Sequence, residues 1–160
     1  MPKTPFGVVE LRRYVTHQVK RDALIALFER EFIETQEASG MVPFGHFRDL
    51  DDPNSFVWLR GFPRMEMRHD ALEAFYTSQT WRDHREAANA TIVDSDNVLL
   101  LRGARADSGF DTRGLSRPNG SNGVASTGRM VAASVFMLHR PAGEAFIGVF
   151  EDDVLPELRS

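Results

Sequence analysis

The chain has no cysteine among its 160 residues, which excludes disulfides, thiolate nucleophiles and zinc–thiolate sites together. It has no run of about 18 apolar residues, so no membrane-spanning helix is expected. It lacks a basic excess. Its 19 Lys and Arg stand against 23 Asp and Glu, a formal net charge of -4, the wrong sign for a nucleic-acid footprint. The opening "MPKTPFGVVEL" contains no apolar signal segment, and a cytoplasmic protein is the default expectation. There is no phosphate-cradling glycine loop followed by a helix, and no G-x-S-x-G elbow. His17, His46, His69, His84 and His139 include no i, i+4 pair, and "DLDDPNS" (49–55) is too short for a calcium loop. No metal and no cofactor are expected.

What is present is ordinary for a soluble globular domain: 42% apolar and 26% charged residues. The length suits one compact domain plus something extra. Alternation predicts a strand over 8–15, and Leu24, Leu27, Phe28 and Phe32 at helical spacing predict a helix over 18–39 that stops at Gly40. "MVPFGHFRDL" and "FVWLRGF" read as a hairpin across the turn "DDPN". A helix over 65–78 is expected to turn Met65, Leu72, Phe75 and Tyr76 inward. A short third helix, "WRDHREAANA", is expected to be capped by Thr80 with Asp83 reciprocating. "NVLLLRG" (97–103) supplies a fourth strand. The order βαββαβ is ferredoxin-like α+β, one four-stranded sheet with helices on one face, over residues 7–103.

Residues 104–128 intersperse five glycines with Ser, Asn and Pro118, the composition of a flexible linker. The pattern then restarts over 129–160, with "VAASVFMLHR" predicted as a strand and "EAFIGVFEDDVLPEL" as a helix. A shift of 122 positions superimposes Val9 on Val131, Tyr14 on Phe136, His17 on His139, Ile25 on Ile147 and Phe28–Glu29 on Phe150–Glu151. This reads as an internal repeat, present in its second copy as one strand and one helix. Such a pair cannot bury its own faces, so the natural chain is expected to be longer or the half-repeat to dock elsewhere.

Strand alternation divides the predicted sheet into two faces. One carries Val9, Leu11, Gly45, Phe47, Val57, Leu59, Leu99 and Leu101, and is expected beneath the helices. The other mixes Glu10, Arg12 and Tyr14 with Phe44, His46, Phe56, Trp58, Arg60, Phe62, Val98 and Leu100. Exposing those aromatics would leave a large apolar patch. The expectation is therefore a second sheet over this mixed face, with Glu10, Arg12, Tyr14, His46, Trp58 and Arg60 forming a polar network at a sheet-on-sheet dimer interface. Glu10 is the natural partner for Arg12 or Arg60.

The segments "VELRRY" (9–14), "GMVPFGHF" (40–47), "FVWLRGFPRMEMRHDALEAFY" (56–76), "WRDHREAAN" (81–89) and "NVLLL" (97–101) resemble the NIPSNAP family, within the dimeric α+β barrel superfamily. The resemblance implies sheet-to-sheet dimers or pseudo-dimers, fits two-repeat organisation, and brings no settled catalytic residues. It implies cavities between helix and sheet, where Arg68, on the inward stripe of its helix, either snorkels or contacts an anion or carbonyl. Tyr76, Trp81 and His84 either pack conventionally or line a pocket for a flat, apolar ligand. His46 is either a satisfied interface histidine or, as in some superfamily relatives, a base. Two functions follow: a NIPSNAP-type module binding a partner or small apolar ligand, or a cofactor-independent monooxygenase or cyclase acting on an aromatic or polyketide-like substrate.

Overall fold

The computed structural model describes residues 6–106, 108–112 and 130–159, in two separate units with a division near residue 114. In the first unit, strand β1 (Val8–Thr16) leads into helix α1, built of Arg21–Leu27, a π-helical turn Phe28–Phe32 and Ile33–Ala38. Gly40, at φ +91°, ends α1 in the left-handed conformation that suits glycine. Strands β2 (Val42–Arg48) and β3 (Ser55–Phe62) form the hairpin. Helices α2 (Glu66–Tyr76) and α3 (Gln79–Asn89) follow, and strand β4 (Ile92–Leu101) closes the sheet. The order β2-β3-β1-β4, antiparallel throughout, is the ferredoxin-like arrangement read from the sequence.

The two faces of the sheet are reversed relative to the expectation. The helices pack on the mixed face: Leu24, Ile25, Leu27, Phe28, Phe32, Ala71, Phe75 and Ala88 share one core with Phe56, Trp58 and Phe62. The rings of that face supply large apolar area to the helices, and the charges among them can be buried because they pair with one another. The aliphatic face carries a separate cluster of Phe6, Val9, Val42 and Leu59, flanked by Leu11, Phe44 and Phe47, to which no helix contributes. Phe44 changes sides because a register shift between Pro43 and Gly45 inserts one extra residue into β2. Its ring stacks on Phe6 at 5.1 Å and meets Phe110 at 4.9 Å.

Three smaller expectations also change. The N-cap of α3 is Ser78, whose Oγ accepts the Trp81 N–H at 3.1 Å, so the helix begins before Thr80. Met65 is exposed because it precedes α2, and Tyr76, one position round from the buried Phe75, is only partly covered, its ring packed on Phe75 and Trp81. In the second unit, residues 130–138 form no strand. Among the described residues the sheet has four strands, and this unit offers no ladder partner. Its helix, α4, does form, as Glu144–Val149, a π-helical turn Phe150–Val154 and Leu155–Arg159. The linker predicted at 104–128 lies largely outside the described residues. Among the described residues no helix is long and apolar enough to cross a membrane.

Candidate functional site

Alternation along β1 and β3 aims Glu10, Arg12 and Tyr14 at the same side as Arg60, Trp58 and Phe56, their direct cross-strand neighbours. Glu10 is the hub. Its side chain is fully buried and accepts hydrogen bonds from Arg60 Nε at 2.7 Å, Arg12 Nη1 at 2.8 Å and Arg68 Nε at 2.6 Å. Burial pushes the Glu10 carboxyl upward, but the Arg60 and Arg12 guanidiniums more than offset it and leave it below the ordinary carboxylate value. Arg60, at 1% exposure, also donates through Nη1 to Gln36 Oε1 at 3.3 Å, and its guanidinium lies 5.1 Å from the Trp58 ring. Arg12 donates from Nε to the Tyr14 hydroxyl at 3.1 Å and lies 5.5 Å from the same indole. Burial raises the Tyr14 phenol above its ordinary value, so it is a neutral donor and acceptor at physiological pH.

Above this cluster the helices and sheet enclose a cavity of ≈ 200 Å³. Phe28, Phe32, Phe56, Phe75 and Trp81 form its aromatic wall, and Arg12, Tyr14, Trp58 and Arg60 its polar floor, with the exposed Tyr76 and Asn89 also lining it. The π-helical turn contributes to this shape. The Ile33 N–H reaches back five residues to the Phe28 carbonyl, and the widened turn carries both Phe28 and Phe32 into the lining. Ser78 starts α3 so that Trp81 falls against Phe32 at 5.6 Å and Phe75 at 5.5 Å. Trp58 lines this floor, and its indole Nε1–H is buried with no hydrogen-bond partner among the described residues.

Of the pocket residues expected from the sequence, Tyr76 and Trp81 line the cavity and Arg68 and His84 do not. Arg68 neither snorkels nor lines it; it is spent on Glu10. His84 lies 3.4 Å from Glu31. Of the expected interface residues, Glu10, Arg12, Tyr14, Trp58 and Arg60 do meet, but beneath the helices rather than at a sheet-on-sheet contact. His46 stands apart, bonded to Glu29 at 2.7 Å and packed on Phe28, outside the cavity lining. Gln36 was missed, although a polar residue continuing the stripe Leu24, Phe28, Phe32 is itself a signal of a buried partner. Among the described residues no three His, Asp or Glu side chains are arranged to hold a metal ion.

The sequence profile described as NIPSNAP matches residues 9–104. Solved structures with the same fold include an uncharacterized NIPSNAP domain protein from Burkholderia xenovorans, at 15% identity and a TM-score of 0.55 over 61% of this chain and 94% of that one. A NIPSNAP family protein of unknown function from Agrobacterium tumefaciens aligns at 18% identity and a TM-score of 0.58, over 69% of this chain and 97% of that one. A second, NIPSNAP-like protein from Burkholderia xenovorans reaches 24% identity and a TM-score of 0.53, over 59% of this chain and 82% of that one. No curated protein matches the chain.

Proposed function

The chain belongs to the NIPSNAP family, and from that premise we propose that it is a binding module whose helix–sheet cavity takes a small, flat, largely apolar ligand. The unpartnered Trp58 N–H on the cavity floor carries this reading, because a buried donor without an acceptor costs about 1–3 kcal/mol unless something fills the place. Both tryptophans of the chain, Trp58 and Trp81, line the cavity, so intrinsic fluorescence reports on it. Flat aromatic ligands are expected to shift or quench that emission. Ala88→Phe, placed in the lining at a buried position, should abolish the response while the protein stays folded. Emission indifferent to every such ligand in both proteins would overturn the reading.

The alternative, a cofactor-independent monooxygenase or cyclase, drew on superfamily analogy and on Arg60, Arg68, Tyr76, Trp81 and His84, with His46 as its base or carbonyl polariser. That side chain is engaged by Glu29 and lies away from the lining, and Glu10 is saturated by guanidiniums. No observation favours it.

The module is read as a homodimer sealed through the aliphatic face. Leu11, Val57 and Leu99 on that face are half-buried and Leu101 is exposed, an apolar surface suited to meeting a second copy. Leu11→Glu should convert the dimer to a monomer in sedimentation. A parent protein that already sediments as a monomer would refute the dimer. Residues 129–160 are read as part of a second repeat whose helix is formed and whose opening strand is not, joined through a linker at 104–128, in a cytoplasmic protein. The support is the π-helical turn, which falls at Phe28–Phe32 and again at Phe150–Val154, the same 122-residue shift that aligns the sequences.

A further inference from the structure

We infer that the cavity ligand is an anion, a small unsaturated or aromatic carboxylate whose charged end meets Arg12 and the Trp58 N–H. The inference rests on the cavity reading above and adds the ligand's charge. Three guanidiniums, from Arg12, Arg60 and Arg68, converge on the single carboxylate of Glu10. Their side chains are 11%, 1% and 26% exposed and that of Glu10 is fully buried, so positive charge is in excess where water screens it poorly. Arginine stays protonated, so the cluster cannot relieve the imbalance by losing a proton. Two of the four groups on the cavity floor, Arg12 and Arg60, carry that charge directly to the ligand's position.

The hydrogen-bond inventory agrees. Arg12 has five N–H donors, of which Nε serves Tyr14 and Nη1 serves Glu10. Trp58 Nε1–H has no acceptor. What is missing is an acceptor-only group that can take several donors at once, which a carboxylate is and an amide is not. A cationic ligand would add to the excess charge. A neutral carbonyl would satisfy Trp58 but leave the guanidiniums as they are. The other end of the cavity has no charged wall: Phe28, Phe32, Phe75 and Trp81 present rings, which suits a flat body. At ≈ 200 Å³ the space admits one ring with a short chain.

The test is titration of the full chain at neutral pH with trans-cinnamate and with cinnamamide, which match in shape and differ in charge. Binding is followed by tryptophan emission and by calorimetry. Cinnamate is expected to bind at least about tenfold more tightly. Arg12→Gln should erase that preference, and Arg12→Lys should retain part of it. Cinnamamide binding as tightly as cinnamate to the parent protein overturns the anionic assignment while leaving the cavity reading intact. A preference that survives Arg12→Gln overturns the role of Arg12. If neither compound binds by about 1 mM, the cavity reading falls and the anion with it. The parent protein's ratio decides the charge question even if the glutamine variant does not fold.

Discussion

Helix α1 and helix α4 align at a shift of 122 residues and stand in different circumstances. Each is interrupted by a π-helical turn at the same relative place. The buried positions of α1, Leu24, Ile25, Leu27, Phe28, Phe32 and Gln36, correspond at a shift of 122 to Phe146, Ile147, Val149, Phe150, Val154 and Leu158, all apolar. Yet Leu24 is 3% exposed where Phe146 is 42%, and Gln36 is 1% where Leu158 is 71%. The apolar stripe is therefore written into both segments, and burial follows only where a sheet is present to receive it. The polar residues behave differently. Glu10, Arg12, Tyr14 and Gln36 correspond to Ala132, Ser134, Phe136 and Leu158, so the hub of the first unit has no counterpart in the second. A stripe that recurs belongs to the fold. The charged cluster is confined to the first unit.

Removing the hub should separate the two regions most. Glu10→Ala, which installs the residue found at position 132, leaves Arg60 buried without its carboxylate and should cost about 3–5 kcal/mol. The double variant Glu10→Leu with Arg60→Met should recover only part of that loss, since it removes the most deeply buried pair but still leaves Arg12 and Arg68 without their carboxylate. Ala132→Glu, the reverse exchange, should move stability by less than about 0.5 kcal/mol. Denaturant midpoints measure all three. A Glu10→Ala loss under about 1 kcal/mol would mean that the hub is not buried as described. The same residue sets a pH dependence. Its folded pKa lies below the ordinary 4.5, so its contribution is complete above that value and is lost as pH falls below it through the folded pKa. Glu10→Gln should be less stable at neutral pH but flatter with pH in the acid range.

Next in size is the stripe itself. Leu24→Ala should cost about 2–5 kcal/mol, because it leaves a cavity beneath α1. Phe146→Ala, at the equivalent place, removes a larger side chain and should cost under about 1 kcal/mol, because that side chain is already exposed. Equal losses at the two sites would show that α4 is as well covered in solution as α1.

The element order and the pairing of Glu10 with Arg60 were legible in the sequence, because strand alternation and cross-strand register are local consequences of the chain. Which face the helices choose was not. Alternation separates the two sets of side chains but does not say which set the helices cover, and the charges suggested an interface when they were in fact the floor of the core. Nor could alternation anticipate the extra residue in β2 that sends Phe44 to the aliphatic side. The cavity was half legible. Trp81 and Tyr76 were visible as ring-bearing positions on short helices, but the contribution of Phe28 and Phe32 depends on a π-helical turn that no spacing announces. Arg68 was placed on the inward stripe with snorkelling or an anion or carbonyl contact as its alternatives, and its particular partner, Glu10, becomes evident only once α2 is laid on the sheet.

The smallest difference between the two aligned segments lies at their entry turns. Val19 holds φ at +58° and is 91% exposed, so a β-branched side chain takes a left-handed conformation without any packing in return. Such strain costs about 1–2 kcal/mol. The corresponding residue in the second copy is Pro141, whose ring fixes φ near -65° and forbids that turn. The two segments therefore enter their helices by different routes. Val19→Asn, which tolerates the left-handed region, should raise stability by about 0.5–1 kcal/mol, and Val19→Gly by less, because glycine also loosens the unfolded chain. Val19→Pro should lower it by more than either gains. A proline variant as stable as the parent would show that the first turn can adopt the second's geometry, extending the likeness of the two copies back through residues 17–20.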